Sequence, residues 1–358
     1  MSYTGYEVNL DEILARAVGG SALEGDEIVF LLNLARESEI EKLFSAARES
    51  RKAHFADQVF LYGFIYFSTY CRNDCTFCYY RRSNVTSERY RKTDAEILET
   101  AEKLAESGLH LLDLTMGEDP HYFKSGNYDQ LLEITAAVKE ATRLPIMISP
   151  GVVPRDILRE FKNIGVDWYA CYQETHNREL YDQLRLDQSY DERLSLKKAA
   201  HREGLLVEEG LLAGIGETDA DIIQSFQVMD ELSADQVRVM SFVPQKGTPL
   251  ENREVLPHLR ELLIIAVMRL IFPGKLIPAS LDVEGLSGLK QRLNAGANVI
   301  TSIIPQDGGL QGVSQSTLDI AEGGRTVAGI TPVLEECGLR PAPLQSYRDW
   351  LEEAKSRY

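Results

Sequence analysis

The chain has 358 residues, 44% of them hydrophobic, which is enough to bury a large core. Its formal net charge of −17 argues against a nucleic-acid partner, because neutralising a phosphate backbone requires clustered Lys and Arg. No apolar run approaches the ~18 residues of a membrane span, and the polar residues 1–10 lack the basic flank and apolar run of a signal peptide. We therefore expect a cytoplasmic protein without a membrane partner.

Strand-like apolar runs alternate with segments of helical spacing from residue 56 onward. The runs cover residues 59–67, 109–115, 144–149, 166–172, 205–213, 236–243, 276–282 and 298–304. The helical segments cover residues 93–108, 128–142, 154–165, 190–203, 219–232, 256–271 and 285–295. The first of these opens on a capping box, Thr93 with Glu96. Repeated βα units predict an α/β fold, a (β/α)8 TIM-type barrel whose active site lies at the C-terminal ends of the strands.

Two further segments flank the predicted barrel. Residues 1–55 predict an N-terminal helical cap, with its clearest helix at residues 39–54. We expect this cap to close the bottom of the barrel, although a partner-binding role stays open. Residues 56–330 form the barrel domain, and residues 331–358 predict a C-terminal tail made of one helix.

Three of the five cysteines lie close together directly after the first strand-like run. Cys71, Cys75 and Cys78 have the spacing C-x3-C-x2-C, which allows three irons of a cubane cluster to be held while the fourth stays open. An open metal position indicates catalysis, whereas a structural zinc site needs a fourth protein ligand. No second cysteine pair provides one. Cys171 lies in an apolar run and is predicted to be a small buried core residue.

The cysteine spacing, with Phe77 directly before Cys78, resembles the signature of the radical S-adenosylmethionine (SAM) superfamily. This resemblance implies a [4Fe-4S] cluster on the three cysteines, whose open iron binds the amino and carboxylate groups of SAM. It implies reductive cleavage of SAM to a 5′-deoxyadenosyl radical. It also implies an electron donor such as a flavodoxin or ferredoxin.

Residues on other strands resemble the SAM contacts of the branch that contains biotin synthase and the hydrogenase maturase. Gly117 and Glu118 resemble the glycine–glutamate segment that meets the SAM ammonium, and Glu174 and Arg193 match two further contact positions. The segment at Gly214 resembles the one that flanks the adenine. Ser149, which ends the third strand, is assigned to the same cofactor set. The alternative for the charged residues is exposed salt bridges, and it weighs most for Arg185.

Charged residues inside buried strands are rare unless they are paired or functional. Asp113, Arg238 and Asp282 lie in the C-terminal halves of their strands, and Ser280 shares a face with Asp282. One arginine with two carboxylates suits an amino acid that carries an additional ammonium group. An internal Arg–Asp salt bridge is the structural alternative.

The whole chain resembles the methylornithine synthase family of pyrrolysine biosynthesis. The resemblance is carried by residues 64–71, 113–120, 145–151, 237–240, 276–282 and 292–298. It implies isomerisation of L-lysine to (3R)-3-methyl-D-ornithine by hydrogen abstraction, fragmentation of the carbon skeleton and recombination. It implies that Arg238 binds the amino-acid head with help from Ser280 and Asp282, and that Asp113 binds an ammonium. No protein residue is assigned as a catalyst, because SAM supplies the radical.

Two alternatives stay open at the level of the sequence. One is a SAM-consuming enzyme of the biotin synthase or hydrogenase maturase type, acting on another small amino-acid-like substrate. Biotin synthase also binds an auxiliary cluster, for which this sequence has no obvious cysteine set. The other is a non-catalytic iron–sulfur protein that binds SAM, against which the interior Arg and Asp residues count.

Overall fold

A computed structural model describes residues 9–123, 128–305 and 324–358 of the chain. Its sheet consists of β1 (Gln58–Ser68), β2 (Leu111–Met116), β3 (Ile146–Ser149), β4 (Trp168–Ala170), β5 (Leu206–Ala213), β6 (Gln236–Ser241), β7 (Pro278–Ser280) and β8 (Val299–Ile303). These strands are parallel and follow the order β6-β5-β4-β3-β2-β1-β8-β7. The Val237 N–H donates to the Leu276 carbonyl at 2.9 Å, so that β6 meets the start of β7 and the barrel nearly closes. Each strand overlaps a run predicted from the sequence, and the predicted α/β barrel is confirmed.

Helices cover the outside of the barrel and flank it in the sequence. They are α1 (Leu10–Val18), α2 (Gly25–Leu32), α3 (Glu37–Phe55), α4 (Asp94–Glu106), α5 (Asp129–Thr142), α6 (Arg155–Asn163), α7 (Arg178–Leu184), α8 (Tyr190–Arg202), α9 (Asp219–Glu231), α10 (Leu259–Ile271), α11 (Leu289–Asn294), α12 (Val327–Glu336) and α13 (Leu344–Lys355). A 3-10 helix, Gly285–Gly288, precedes α11. The predicted capping box starts α4, where the Thr93 N–H donates to the Glu96 carboxylate at 2.7 Å. The short helix α7 lies outside the helical segments predicted from the sequence.

The N-terminal helices pack against the outer helices of the barrel. Contacts link α3 to α10 and α1, and α2 to α10 and α9. The buried Arg51 of α3 donates to the Ala297 carbonyl at 3.1 Å, just before β8. These helices therefore extend the apolar core outward along one side of the barrel.

The interior at the N-terminal ends of the strands is instead filled from the C-terminal helix α13. Tyr347 is fully buried in a cluster with Phe60, Tyr62 and Trp168. The Tyr347 hydroxyl lies 3.0 Å from the Tyr62 hydroxyl and accepts from the Trp168 indole N–H at 3.2 Å. Helix α13 thus occupies the position that the sequence analysis assigns to the N-terminal cap.

The C-terminal tail is not the single helix that the sequence predicts over residues 331–358. Helix α12 ends before Gly338, which has φ +65°, a left-handed conformation that glycine adopts without strain. A short strand β9 (Arg340–Pro341) then pairs with β1. Pro341 and Pro343 have no N–H to continue a helix, so α13 starts only after them. The division into cap, barrel and tail stays a prediction.

None of the helices in the described part of the chain is long and apolar enough to cross a membrane. Two stretches that carry sequence predictions lie outside the described residues. They are residues 1–8, whose sequence argues against a signal peptide, and residues 306–323 of the predicted barrel domain. The cytoplasmic location stays a prediction.

Replacing Tyr347 with Ala removes a buried ring and leaves the Trp168 N–H without its acceptor. We expect the free energy of unfolding to fall by about 3–5 kcal/mol, as for other buried aromatic truncations. Urea unfolding followed by circular dichroism measures this change. The exposed Arg348→Ala on the same helix serves as control, with a change within ~0.5 kcal/mol. A loss of less than ~1 kcal/mol for Tyr347→Ala would contradict the sealing role of α13.

Candidate active site

A cavity of about 310 Å³ opens at the C-terminal ends of the strands. All three clustered cysteines line it. So do six residues of the predicted cofactor and substrate sets, namely Gly117, Glu118, Ser149, Glu174, Arg193 and Arg238. The remaining predicted residues, Asp113, Gly214, Ser280 and Asp282, do not line it. The fold therefore brings most, but not all, of the predicted site residues to one cavity.

The cysteine loop follows β1 and is held from two sides, the first being just after the end of β2, where the Arg72 N–H donates to the Glu118 carbonyl at 2.9 Å. The Thr76 N–H donates to the Leu184 carbonyl at 2.8 Å, at the end of α7. Burial raises the pKa of the Cys71 thiol to about 11 and that of the Cys78 thiol to about 12. Cys75 is buried and the other two cysteines are partly buried, so these three thiols in one cavity can become thiolates together only when cations accompany them. This donor set therefore fits an iron–sulfur cluster.

Within the described ranges, no three Cys, His, Asp or Glu side chains converge on the position of a single metal ion. A cubane takes each thiolate on a different iron, so its ligands need not converge on one point.

Gly117 allows the end of β2 to approach the cysteine loop. A Cβ atom on this residue would lie 2.3 Å from the Tyr70 carbonyl oxygen and 3.0 Å from the Cys71 Cβ. The resemblance places SAM at this close approach, whereas in the structure the neighbour is the loop itself. Glycine at this position thus brings the next residue, Glu118, against the loop.

Glu118 is a buried carboxylate held by two arginines. Arg193 donates to its Oε1 at 3.0 Å, and Arg72 donates to its Oε2 at 3.0 Å. The Val152 N–H donates to Oε1 at 3.1 Å. Although burial disfavours the charged form, the arginines hold the pKa of Glu118 below its ordinary value. The wall beside Cys71 is therefore a fixed ion network.

Glu174 and Arg185 form a second buried pair next to Cys75. Arg185 Nη2 donates to Glu174 Oε1 at 2.9 Å and to the Tyr172 carbonyl at 3.0 Å. Glu174 has φ +69°, a strained conformation for a residue with a side chain, and forms a parallel bridge with Leu211 of β5. Burial raises the pKa of Glu174. The alternative of an exposed salt bridge is wrong for Arg185, which is 8% exposed.

Cys171 belongs to the apolar core, as predicted, but it also lines the cavity. Arg193 Nη1 lies 2.9 Å from its sulfur. A fourth thiol thus lies in the wall of the same cavity.

The backbone of Gly214 is hydrogen-bonded to two side chains. Its N–H donates to Glu217 Oε1 at 2.8 Å, and its carbonyl accepts from Arg253 Nε at 2.7 Å. The backbone groups that the sequence analysis places beside the adenine are therefore already paired.

Arg238 is positioned inside the barrel by a residue that the sequence analysis does not identify. Its Nε donates to Glu208 Oε1 at 2.7 Å, and the Tyr172 hydroxyl donates to Glu208 Oε2 at 2.7 Å. Against the effect of burial, Glu208 and Tyr172 hold the pKa of Arg238 above its ordinary value. The sequence held a signal for Glu208. Strand alternation directs only one of the adjacent Glu208 and Glu209 into the barrel. Glu209 pairs outside it with Lys197 of α8.

Asp113 lies directly behind the cavity wall. The hydroxyls of Thr115 and Ser149, which both line the cavity, donate to its Oδ1 at 2.8 and 3.0 Å. Burial and the negative charge of Glu208 raise the pKa of Asp113 from 3.8 to about 7. Ser149, assigned to the cofactor set, thus bonds a residue of the substrate set.

Asp282 is held by Arg325, which the sequence analysis misses. Arg325 Nη2 donates to Asp282 Oδ1 at 2.7 Å, while Ser302 and Ser280 donate to Oδ2 at 2.6 and 3.3 Å. The internal Arg–Asp salt bridge considered from the sequence thus exists, with Arg325 as the partner. Arg325 lies outside every predicted strand, so no pattern pointed to it.

Comparison with known proteins places this site in a family. Residues 65–229 match the profile of the Radical SAM superfamily. The chain is 45% identical over 335 residues to a 3-methylornithine synthase of Methanosarcina acetivorans, covering 94% of this chain and 95% of the relative. The chain belongs to the 3-methylornithine synthase family. A second member, from Methanosarcina barkeri, is also 45% identical, over 93% of this chain and 94% of its own length.

Two further comparisons concern a solved structure and a relative with a different printed name. A crystal structure of methylornithine synthase aligns with a TM-score of 0.90 and 43% identity, covering 94% of this chain and 99% of that one. The [FeFe] hydrogenase maturase subunit HydE of Thermotoga maritima is 32% identical over 73% of this chain and 74% of its own length. The predicted family and superfamily are confirmed, and the chain is a radical SAM enzyme.

The raised pKa of Asp113 predicts a pH dependence of stability in this 3-methylornithine synthase homologue. Between about pH 4 and 7 the folded chain retains a proton on Asp113 that the unfolded chain has lost, so stability falls as the pH rises. From pH 5 to 7, the free energy of unfolding should fall by about 2 kcal/mol more in the wild type than in Asp113→Asn.

Urea unfolding at both pH values measures this difference. Asp182→Asn, at an exposed site on α7, is the matched control and should keep the full wild-type pH dependence. An equal fall in the wild type and in Asp113→Asn would contradict a proton on Asp113.

Proposed function

We propose that this chain converts L-lysine to (3R)-3-methyl-D-ornithine. The observation that carries the proposal is that the cysteine loop and Arg238 line the same cavity. Its volume of about 310 Å³ falls at the lower end of the ~300–1,000 Å³ range of small-molecule sites. The printed names of the two Methanosarcina relatives support the choice of reaction.

The proposed cluster ligands are Cys71, Cys75 and Cys78. We assign the SAM contacts to Gly117, Glu118, Ser149, Glu174 and Arg193, which line the same cavity. When bound, the [4Fe-4S] cluster and SAM supply a carbon-centred radical for hydrogen abstraction. The residues here provide matching charges, since an arginine fork suits the SAM carboxylate and a carboxylate suits its ammonium. Gly214 stays a prediction, because a contact through its backbone requires release from Glu217 or Arg253.

Arg238 is proposed to bind the carboxylate of lysine. Glu208 holds its Nε, which orients the guanidinium. Nη1 has only a long contact of 3.6 Å to the Met240 sulfur, so both terminal nitrogens are available for a bidentate contact. Its planar fork is already ordered before substrate arrives, so less side-chain entropy is lost on binding.

Asp113 is proposed to accept a hydrogen bond from a lysine ammonium. The arriving cation favours the carboxylate form, so Asp113 releases its proton when the substrate binds. For this contact the hydroxyls of Thr115 and Ser149 must turn or transmit the interaction, because they now donate to its Oδ1. Asp282, which accepts a hydrogen bond from Ser280, adds negative charge near Arg238. This charge stabilises the protonated guanidinium of Arg238.

The isomerisation breaks and remakes a carbon–carbon bond of lysine, so both pieces must stay in contact. Protein walls hold reacting groups at high effective concentration and exclude water from them. The apolar part of the wall comes from side chains such as Phe77, Met240 and Phe242.

We propose that the electron comes from a flavodoxin or ferredoxin. A second hollow, of about 400 Å³, lies outside the cysteine loop and is lined by Arg72, Asn73 and Asp74. These three residues separate Cys71 from Cys75, so this hollow brings the surface close to the proposed cluster.

The central experiment incubates anaerobically reconstituted protein with SAM, a strong reductant and uniformly 13C-labelled L-lysine. We expect an isobaric amino acid with a branched methyl signal in mass spectrometry and NMR. Cys75→Ala should lose both the cluster absorbance and the product. If lysine is unchanged while SAM is cleaved stoichiometrically to 5′-deoxyadenosine, the isomerase proposal is overturned. That result would favour a SAM-consuming enzyme of the maturase type.

Arg238→Lys tests the proposed carboxylate contact. The ammonium keeps the charge but not the fork, so we expect the KM for lysine to rise about 10- to 100-fold. Steady-state kinetics measure this rise, and iron content should stay unchanged. Arg159→Lys, which alters an exposed Arg–Glu pair with Glu203, is the matched control. An unchanged KM in Arg238→Lys would remove Arg238 from the substrate site.

A further inference from the structure

Gln188 follows α7 and bridges two groups of the cavity. Its Nε2 donates to the Cys75 sulfur at 3.1 Å, and its Oε1 accepts from Arg193 Nη2 at 2.9 Å. Arginine has no acceptor, so the amide oxygen must face Arg193 and the NH2 group must face Cys75. The direction of the bond to the sulfur therefore follows from the chemistry of the pair.

Cys75 differs from the other two cysteines in its surroundings. Arg185 Nη1 lies 3.6 Å from the same sulfur and adds a positive charge to the Gln188 contact. Cys71 accepts from the backbone N–H of Asn73 at 3.4 Å, and Cys78 accepts from the backbone N–H of Tyr80. Side-chain donors to a cysteine sulfur are thus concentrated on Cys75 among the residues that the structure describes.

Donors to a cluster sulfur change the energy of electron transfer. Reduction adds negative charge to the cluster and its thiolates, and N–H donors and a nearby cation stabilise that charge. Two such groups on one sulfur raise the reduction potential relative to the same cluster without them.

We propose that Gln188 is a positioning residue that, together with Arg185, raises the reduction potential of the cluster through its hydrogen bond to Cys75. The inference rests on the cluster ligands assigned under the proposed function. It concerns the cluster before lysine binds, so its success does not depend on the identity of the substrate.

The test measures the midpoint potential of the reconstituted full-length protein by a potentiometric titration followed by EPR. Gln188→Leu removes the donor at similar volume, and Gln188→Glu keeps an acceptor for Arg193 while removing the donor. Both variants should have a more negative potential than the wild type. Gln183→Leu, at an exposed glutamine on α7, should keep the wild-type potential.

A second readout identifies the bond itself. With 15N-labelled glutamine, pulsed EPR of the reduced cluster should show a nitrogen coupling that disappears in Gln188→Leu and persists in Gln183→Leu. A wild-type potential in either Gln188 variant, or the absence of this coupling in the wild type, would overturn the inference. Loss of the cluster from both Gln188 variants would also overturn it, because a tuning bond is not needed for assembly. If this inference fails but the protein still turns over lysine, the proposed function stands.

Discussion

Buried charge is the constraint on which this active site depends. Within the described ranges, Arg–carboxylate pairs that surround or adjoin the cavity include Arg193–Glu118, Arg185–Glu174, Arg238–Glu208 and Arg325–Asp282. An unpaired charge at these depths would cost several kcal/mol, so each ion is tolerated only with its partner. The pairs fix the direction in which each arginine points.

This arrangement separates the cavity into two ends. The first two pairs lie beside the cysteine loop, whereas Arg238 lies deeper, above the layer sealed by Tyr347. A cofactor that binds at the loop and an amino acid that binds at Arg238 would meet between them. The carboxylate partners hold the arginines in fixed directions, which is the physical meaning of preorganisation.

A series of hydrogen bonds and close polar contacts runs along the cavity between its two ends. Arg193 contacts Glu118, Gln188 and Cys171, while Gln188 reaches Cys75. Tyr172 joins the other end, since its carbonyl accepts from Arg185 and its hydroxyl donates to Glu208. Tyr172 thus links an arginine beside the cysteine loop to the carboxylate that holds Arg238.

The sequence by itself determined the barrel, the three cysteines, the capping box of α4 and the family, because these depend on local pattern and short spacing. Burial on both faces makes the strands continuous apolar runs, and a loop motif needs no distant partner. Tertiary structure alone decided which carboxylate pairs with which arginine and what seals the barrel. Asp282 and Arg325 are 43 residues apart, and Tyr62 and Tyr347 are 285 apart. A partner at such a separation is selected by how the chain folds back on itself, and no local spacing records it.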